Sequence, residues 1–398
     1  MLADTPSPSL DIDPFSIEAL TDPKPFQDAL REAGDFVFLP RYGIWATGRF
    51  ARVRDILTDW RTFCSSGGVG VTNFHKEKPW RPPSLLLERD PPDHTRYRAI
   101  MLRALSPAVL ERLRPAFREQ AARQVERLLQ MGEFDAIKEL AEGYPLKVFG
   151  DAIGLRADDR RNMLRYGDIA FNALGPRNEL YERAMAEAGP VSEWIMRQCE
   201  RGAIDPDGLG TIMYAAADAG DVTEEEAGML VRSFLSAGVD TTVRALGGAL
   251  LAFAESPEQW RTLRADPSLA RNAAEEAIRH ASPFQTVFRT TTREVDIGPA
   301  TLAPDEKVLL SLAAANHDPD RWDDPGSFDV TRRAAGHVGF GAGIHGCAGQ
   351  MLARLEIEVL LGEMAGRVAS IERTGEVAWA LNNTTRGLAR LPVVMRPA

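Results

Sequence analysis

The stretch Phe340-Gly341-Ala342-Gly343-Ile344-His345-Gly346-Cys347-Ala348-Gly349 decides how this chain is read, together with the helix-forming run Gln350-Met351-Leu352-Ala353-Arg354-Leu355-Glu356 behind it. Cys347 is a lone cysteine in a glycine-rich loop. The small residues on both sides let a large planar ligand approach the backbone and let peptide N–H groups point at the sulfur. A thiolate held in this way is a strong single axial ligand for haem iron. The helix that starts behind Cys347 places its positive end near the sulfur and favours the thiolate.

Other readings of the loop are weaker. Gly341, Gly343 and Gly346 also spell G-x-G-x-x-G, but no strand run precedes them and their late position leaves little room for a dinucleotide-binding half. A zinc site is weaker still, because Cys64 and Cys199 are far away in sequence and no Cys or His pair has finger spacing. The bland alternative is a buried structural cysteine in a turn.

The chain has 398 residues, a net charge of −10 and 44% apolar residues, enough for a large core. No linker, repeat or low-complexity tract divides it. One large domain over 13–398, behind a flexible N-terminus over 1–12, is expected. The acidic balance argues against nucleic acid as a partner. No apolar run is long enough to span a bilayer. Met1-Leu2-Ala3-Asp4-Thr5-Pro6 lacks the parts of a signal peptide. Three widely spaced cysteines fit a reducing compartment. A cytoplasmic protein without membrane attachment is the expectation.

Most of the sequence reads as helix. Pro107–Gln130 and Glu224–Ala254 are long, rich in Ala and Leu, and carry charge at helical spacing. Ser106-Pro107 has the look of a serine cap with proline at the first helical position. Strand-like pieces are few: Phe36–Leu39, Ile44–Thr47, Arg289–Val295, Lys307–Leu312 and Pro392–Met395. The fold class is therefore mainly α with small β-sheets at the side.

Three patterns carry chemistry. Ser236-Ala237-Gly238-Val239-Asp240-Thr241-Thr242 lies inside the second long helix, where Gly and paired threonines are poor choices. Either Gly238 lets a neighbouring helix approach, or the turn opens into a groove in which a hydroxyl and a carboxylate pass protons through water. Glu276-Ala277-Ile278-Arg279 puts a carboxylate and a guanidinium on one helix face. His94 and Arg98, at i and i+4, share a face and suit one carboxylate. Of six histidines, His75, His280, His317 and His337 read as ordinary surface or structural residues.

These patterns together resemble the cytochrome P-450 monooxygenases over nearly the whole chain, from about Asp13 onward. Phe340, Gly343, His345, Cys347 and Gly349 fill the defining positions of that family's haem loop. The resemblance implies haem b (iron protoporphyrin IX) with Cys347 as the iron ligand. Gly238 and Gly341 then line the haem, and His94, Arg98, Arg289 and His345 hold its propionates. Thr241 takes the oxygen-binding alcohol role and Asp240 that of the proton-relaying acid. Glu276 and Arg279 become the family's Glu-x-x-Arg core pair. Its usual third partner falls in Pro325-Gly326-Ser327-Phe328, where Ser327 replaces an arginine, and Arg332 or Arg333 is left to compensate. No flavin or iron–sulfur module is visible, so electrons come from NAD(P)H through external partners, a 2Fe-2S ferredoxin and its reductase.

Phe63–Gly70, Lys76–Glu88, Phe171-Asn172-Ala173, Leu230-Val231-Arg232-Ser233 and Arg289–Arg293 resemble more narrowly the bacterial members that O-demethylate 4-methoxybenzoate. That likeness assigns a substrate carboxylate to Arg81, Ser84, Arg232 and Ser233, the alternative being that Arg81 and Arg232 form surface ion pairs. It assigns the remaining wall to Leu87, Phe171, Leu174, Ala237, Phe284 and Val287. The chain departs from that group at Leu174 and Val287, where bulk is lost, and at Phe284, where it is added. The expected substrate is a small aromatic acid, a para- or meta-substituted benzoate or a cinnamate. A haem-thiolate sensor without turnover, or a monooxygenase of a neutral aromatic or other small hydrophobic compound, remains the alternative.

Overall fold

The structure is a computed structural model that describes residues 8–156 and 158–398. Helices build its body and four small sheets lie beside them. The helix Gln350–Arg367, which begins just behind Cys347, packs against Pro107–Leu129 and Ala270–Ala281. Its buried face of Leu352, Leu355, Val359, Leu360 and Met364 recurs at helical spacing, so the apolar pattern drives it into the largest core.

The expected elements appear with changed edges. The 107–130 helix runs from Pro107 to Leu129, but the Ser106 side chain makes no capping bond there. Proline at the first position fixes the entry without it. The run expected over 289–295 is displaced: the strand is Thr286–Thr291, and Val295–Asp296 belongs to a separate two-stranded sheet. Thr292 and Arg293 form the bend between them. The long helix expected over 224–254 is two helices, Glu224–Ala237 and Asp240–Glu255, broken at Gly238 and Val239.

The five-stranded sheet has the order Val37–Leu39, Ile44–Thr47, Lys307–Ser311, Thr286–Thr291, Phe63–Cys64. Only its second and third strands run parallel. The two central strands are buried along their whole length, which places Val287, Arg289 and Lys307 inside the protein. Residues 1–7 of the expected flexible N-terminus lie outside the described residues. Beyond them Pro8 and Leu10 are hydrogen-bonded to Phe38. Among the described residues no helix is long and apolar enough to cross a membrane.

Candidate functional site

The cysteine loop is held from both sides. The Cys347 N–H donates to the Phe340 carbonyl at 2.8 Å. The Phe340 ring lies between His337, 5.6 Å away centre to centre, and the Arg354 guanidinium at 4.5 Å. Gly343 has φ +68°, and a Cβ there would come within 2.5 Å of the Leu57 carbonyl oxygen, so the loop can pass the end of the helix Phe50–Thr58 only as glycine. Cys347 is accessible. Protein nonetheless crowds it enough that burial raises its thiol pKa. The N–H groups of Gly349 and Gln350 and the cations Arg98 and Arg354 pull in the opposite direction. The donors expected at the sulfur are therefore present, but in the protein alone burial outweighs them.

Beside the loop stands a group of bases. His94 and Arg98 sit on the helix Asp93–Ala104. The His94 and His345 rings lie 4.3 Å apart, and Arg98 donates to the Gly346 carbonyl at 2.6 Å. His94 Nε2 is buried and, among the described residues, has no hydrogen-bond partner. Burial, with His345 and Arg98 adding to it, brings its pKa down to about 4. Arg289 is buried too, and Nη1 donates to its neighbour's carbonyl at Phe288. Burial pulls its pKa down to about 10 against the opposing charge of Asp90.

Asp90 was not legible in the sequence as a site residue. It accepts from the N–H groups of Ser65 and Ser66 and lies 3.1 Å from His345 Nε2. Burial alone would raise its carboxyl, but these bonds hold it down at about 2. The residues present fit haem. An accessible thiol with peptide donors aimed at it stands next to under-satisfied, buried bases, and such bases suit the two carboxylates on that cofactor's edge.

At the helix break Gly238 both admits a neighbour and interrupts the helix. A Cβ on Gly238 would fall 1.9 Å from the Phe149 ring, so the glycine admits a neighbour, and the helix also stops there. Thr241 Oγ1 lies 3.4 Å from the Ala237 carbonyl. Asp240 is engaged: its Oδ2 accepts from Arg244 Nε at 2.6 Å, and Arg244 also reaches Asp168 at 3.6 Å. Asp168 in turn accepts from Asn382 at 2.9 Å. The acid expected to relay protons is thus paired with the buried Arg244, which also reaches the half-exposed Asp168.

The segments assigned to a substrate come together in part. Phe171 and Phe284 pack ring to ring at 5.5 Å, and Leu174 and Val287 are buried in the same apolar cluster, with Leu87 against it. The turn Asn382–Thr385, which carried no sequence signal, ties this wall together. Asn383 bonds Asn172, Thr384 Oγ1 donates to the Phe171 carbonyl, and Phe284 bridges Thr385. At the other end, Arg81 forms an ion pair, though with a buried partner rather than on the surface. Its two terminal nitrogens lie 2.9 and 3.3 Å from the carboxylate oxygens of Glu88, a residue the sequence reading passed over. Arg232 is only 5% exposed and donates to the Pro82 carbonyl at 3.0 Å. Among the described residues it has no carboxylate partner. Ser84 Oγ accepts from the N–H groups of Leu86 and Leu87, whereas Ser233 Oγ donates to the Met229 carbonyl.

Behind the cysteine loop, Glu276 and Arg279 are fully buried and joined by two 2.7 Å hydrogen bonds. The third partner is Arg332, whose Nε lies 3.1 Å from Glu276, while Ser327 contributes its carbonyl to Arg279. The four remaining histidines have protein partners, His337 with Glu275 among them.

Comparison with known proteins agrees with this architecture. The family model described as Cytochrome P450 matches residues 196–366. The chain is 51% identical over 392 residues to Cytochrome p450 CYP199A2 of Rhodopseudomonas palustris, covering 98% of this chain and 95% of that one. It is 31% identical to the vitamin D(3) 25-hydroxylase of Pseudonocardia autotrophica over 97% of its own length and 96% of the relative's. Among solved structures it resembles cytochrome P450 CREJ in complex with (4-ethylphenyl) dihydrogen phosphate, with TM-score 0.86 and 26% identity over 96% and 99% of the two chains. The chain belongs to the cytochrome P450 family, and it is a haem-dependent monooxygenase of the bacterial type that draws electrons from redox partners.

Proposed function

We propose that this monooxygenase acts on a small aromatic carboxylic acid, a para- or meta-substituted benzoate or a cinnamate, which it hydroxylates or O-demethylates. The observation that carries the reading is Arg232, a buried guanidinium with no carboxylate partner among the described residues. Burying a charge unpaired is expensive, and an arriving carboxylate offsets that cost. Arg81 and Ser84 stand with it, since both guanidiniums donate to the same Pro82 carbonyl. From Arg232 to Ala237 the helix advances about 7.5 Å at 1.5 Å per residue. An aromatic acid gripped at Arg232 therefore lies along the helix with its far end toward Thr241. The similar fold solved in complex with (4-ethylphenyl) dihydrogen phosphate, an aryl ligand with an acidic head group, supports this reading.

In this reading Cys347 would ligate the iron of haem b, and His94, Arg98, Arg289 and His345 would receive the propionates. Haem supplies, when bound, the binding and activation of dioxygen. Thr241 holds a hydroxyl proton at the helix break. Asp240 hands protons on after parting from Arg244, which keeps Asp168 as its second carboxylate. For a 4-methoxy substrate the hydroxylated methyl collapses to formaldehyde and a phenol. Electrons arrive from NAD(P)H through a 2Fe-2S ferredoxin and its reductase, in the cytoplasm.

The test is an optical titration of the holoenzyme with 4-methoxybenzoate and with its methyl ester. The acid should bind roughly 10- to 100-fold more tightly, since a charge-assisted hydrogen bond is lost with the ester. Equal affinities and spin shifts would end the aromatic-acid reading. Substrate-dependent NADH consumption with a ferredoxin pair separates turnover from mere sensing. In Cys347→His the red-shifted Soret band of the reduced carbon monoxide complex should vanish, while Cys64→Ser and Cys199→Ser keep it.

A further inference from the structure

Glu88 has no part in the reading above, yet among the described residues it is the acid that sits inside the anion-binding group. Its side chain is 1% exposed. It grips both terminal nitrogens of Arg81 and also accepts from the Ser84 N–H at 2.7 Å. These bonds satisfy its carboxylate within the loop 81–88, so it does not reach over to Arg232. Lys307 also feels the Glu88 charge, but its ammonium donates to the carbonyls of Gly67 and Gly68. Two guanidiniums and one carboxylate leave a single positive charge unmatched, and that charge is on Arg232.

We propose that Glu88 is a specificity-determining residue that sets the charge of the anion this site accepts. By neutralising Arg81 it leaves room for one negative charge, so the site selects monoanions such as a carboxylate and rejects dianions such as an aryl phosphate or phosphonate. The inference rests on the aromatic-acid reading of the same site. A dianion brought to Arg232 would carry a second charge into a buried setting, with Glu88 facing it as a like charge. Buried charge without a partner is strongly penalised, and specificity of this kind comes from the repulsive element as much as from the attractive one. A related fold is described in complex with (4-ethylphenyl) dihydrogen phosphate, so a phosphate head group is a fair competitor on this scaffold.

The experiment uses two tetrahedral head groups on one ring, 4-ethylbenzenesulfonate as monoanion and 4-ethylphenylphosphonate at a pH where it is dianionic. Dissociation constants come from calorimetric titration of the holoenzyme, with 4-ethylbenzoate as control. In the native protein the sulfonate should bind about tenfold or more better than the phosphonate, as expected when one buried charge-assisted contact is replaced by repulsion. Glu88→Gln keeps the shape and the acceptor for Ser84, and it should move the ratio at least about tenfold toward the phosphonate. Glu88→Asp, which keeps the charge, should retain the native preference. A native protein that binds both head groups equally, or a Glu88→Gln ratio that does not move, overturns the inference while binding of 4-ethylbenzoate keeps the aromatic-acid reading intact. If 4-ethylbenzoate itself does not bind, both fall together. The native comparison needs no variant to fold.

Discussion

Two groups of buried guanidiniums differ in how fully they are matched. Behind the cysteine loop, Arg279 is wholly enclosed, and Glu276 and the carbonyls of Asn316, Pro325 and Ser327 take up its donors. Glu276 in turn serves Arg332 and the Asp329 N–H. At the far end of the other group, Arg232 donates to one carbonyl. A completed network fixes a shape, because every change leaves something buried and unpaired. An incomplete one holds electrostatic stabilisation in reserve for an incoming ligand. The first arrangement reads as scaffold and the second as site.

The contrast breaks most visibly at Glu276. Glu276→Ala leaves Arg279 charged and enclosed, and removing one partner of a buried pair typically costs about 3–5 kcal/mol. The holoenzyme should unfold at much lower denaturant and lose haem readily, while whatever remains folded keeps its preference for acids. Equilibrium unfolding shows this. A loss below about 1 kcal/mol would place this pair with ordinary surface salt bridges and erase the distinction.

Lys307 is a third buried cation and sharpens the comparison through pH. Burial, aided by Arg289 and opposed by Cys64 and Glu88, brings its pKa from 10.5 down to about 7. Below pH 7 the folded and unfolded chains both hold this proton. Between about 7 and 10.5 the unfolded chain holds more, so stability rises with pH across that window, at up to about 1.4 kcal/mol per unit. Lys307→Met should flatten the rise in unfolding experiments between pH 7 and 10. The variant should also be no less stable than the native protein at pH 7. An unchanged slope would mean that the carbonyls of Gly67 and Gly68 hold the ammonium as well as water does.

Legibility in the sequence followed locality. The cysteine loop, the Ser236–Thr242 turn and the Glu276–Arg279 pair each lie within ten residues, where residue type and spacing together constrain geometry. Glu88 also lay close to Arg81, but a spacing of seven puts two side chains on a helix about 10 Å apart, too far to pair, and gave no signal. The bonds of Lys307 to Gly67 and Gly68 span about 240 residues, and those of Asn383 to Asn172 span 211. Only the fold brings them together. Strands such as Glu133–Asp135 and Ala378–Leu381 escaped notice because they are short and expose much of their length, so no alternation develops. The break at Gly238 and Val239 was visible as a run of poor helix formers. The ring that fills it, Phe149, was not.

Arg232→Met tests the site half of the comparison. Loss of the single Pro82 bond should cost at most about 1 kcal/mol of stability, and an apolar side chain suits the buried position. Affinity for 4-methoxybenzoate should fall roughly 10- to 100-fold, the loss of one charge-assisted hydrogen bond. Calorimetric titration and unfolding of one sample measure both. A variant much less stable than the native protein, with unchanged acid affinity, would make Arg232 part of the scaffold.

The smallest effect is expected at Ser233, and it separates two hydroxyls that the sequence treats alike. Ser84 Oγ accepts two N–H bonds, from Leu86 at 3.3 Å and Leu87 at 3.2 Å, so its own proton is free to donate. Ser233 Oγ has donated its proton to the Met229 carbonyl at 3.2 Å, and its remaining lone pairs repel a carboxylate. To help the substrate it must give up that bond for a similar one, so the net gain is small. Ser233→Ala should therefore weaken binding of 4-methoxybenzoate by less than about threefold. Ser84→Ala should weaken it by about tenfold, because a donor to a charged group is lost and two N–H groups lose their acceptor. Titrations that reverse this order would show that the Ser233 hydroxyl turns toward the ligand on binding, and that the hydrogen bond to Met229 is only its resting state.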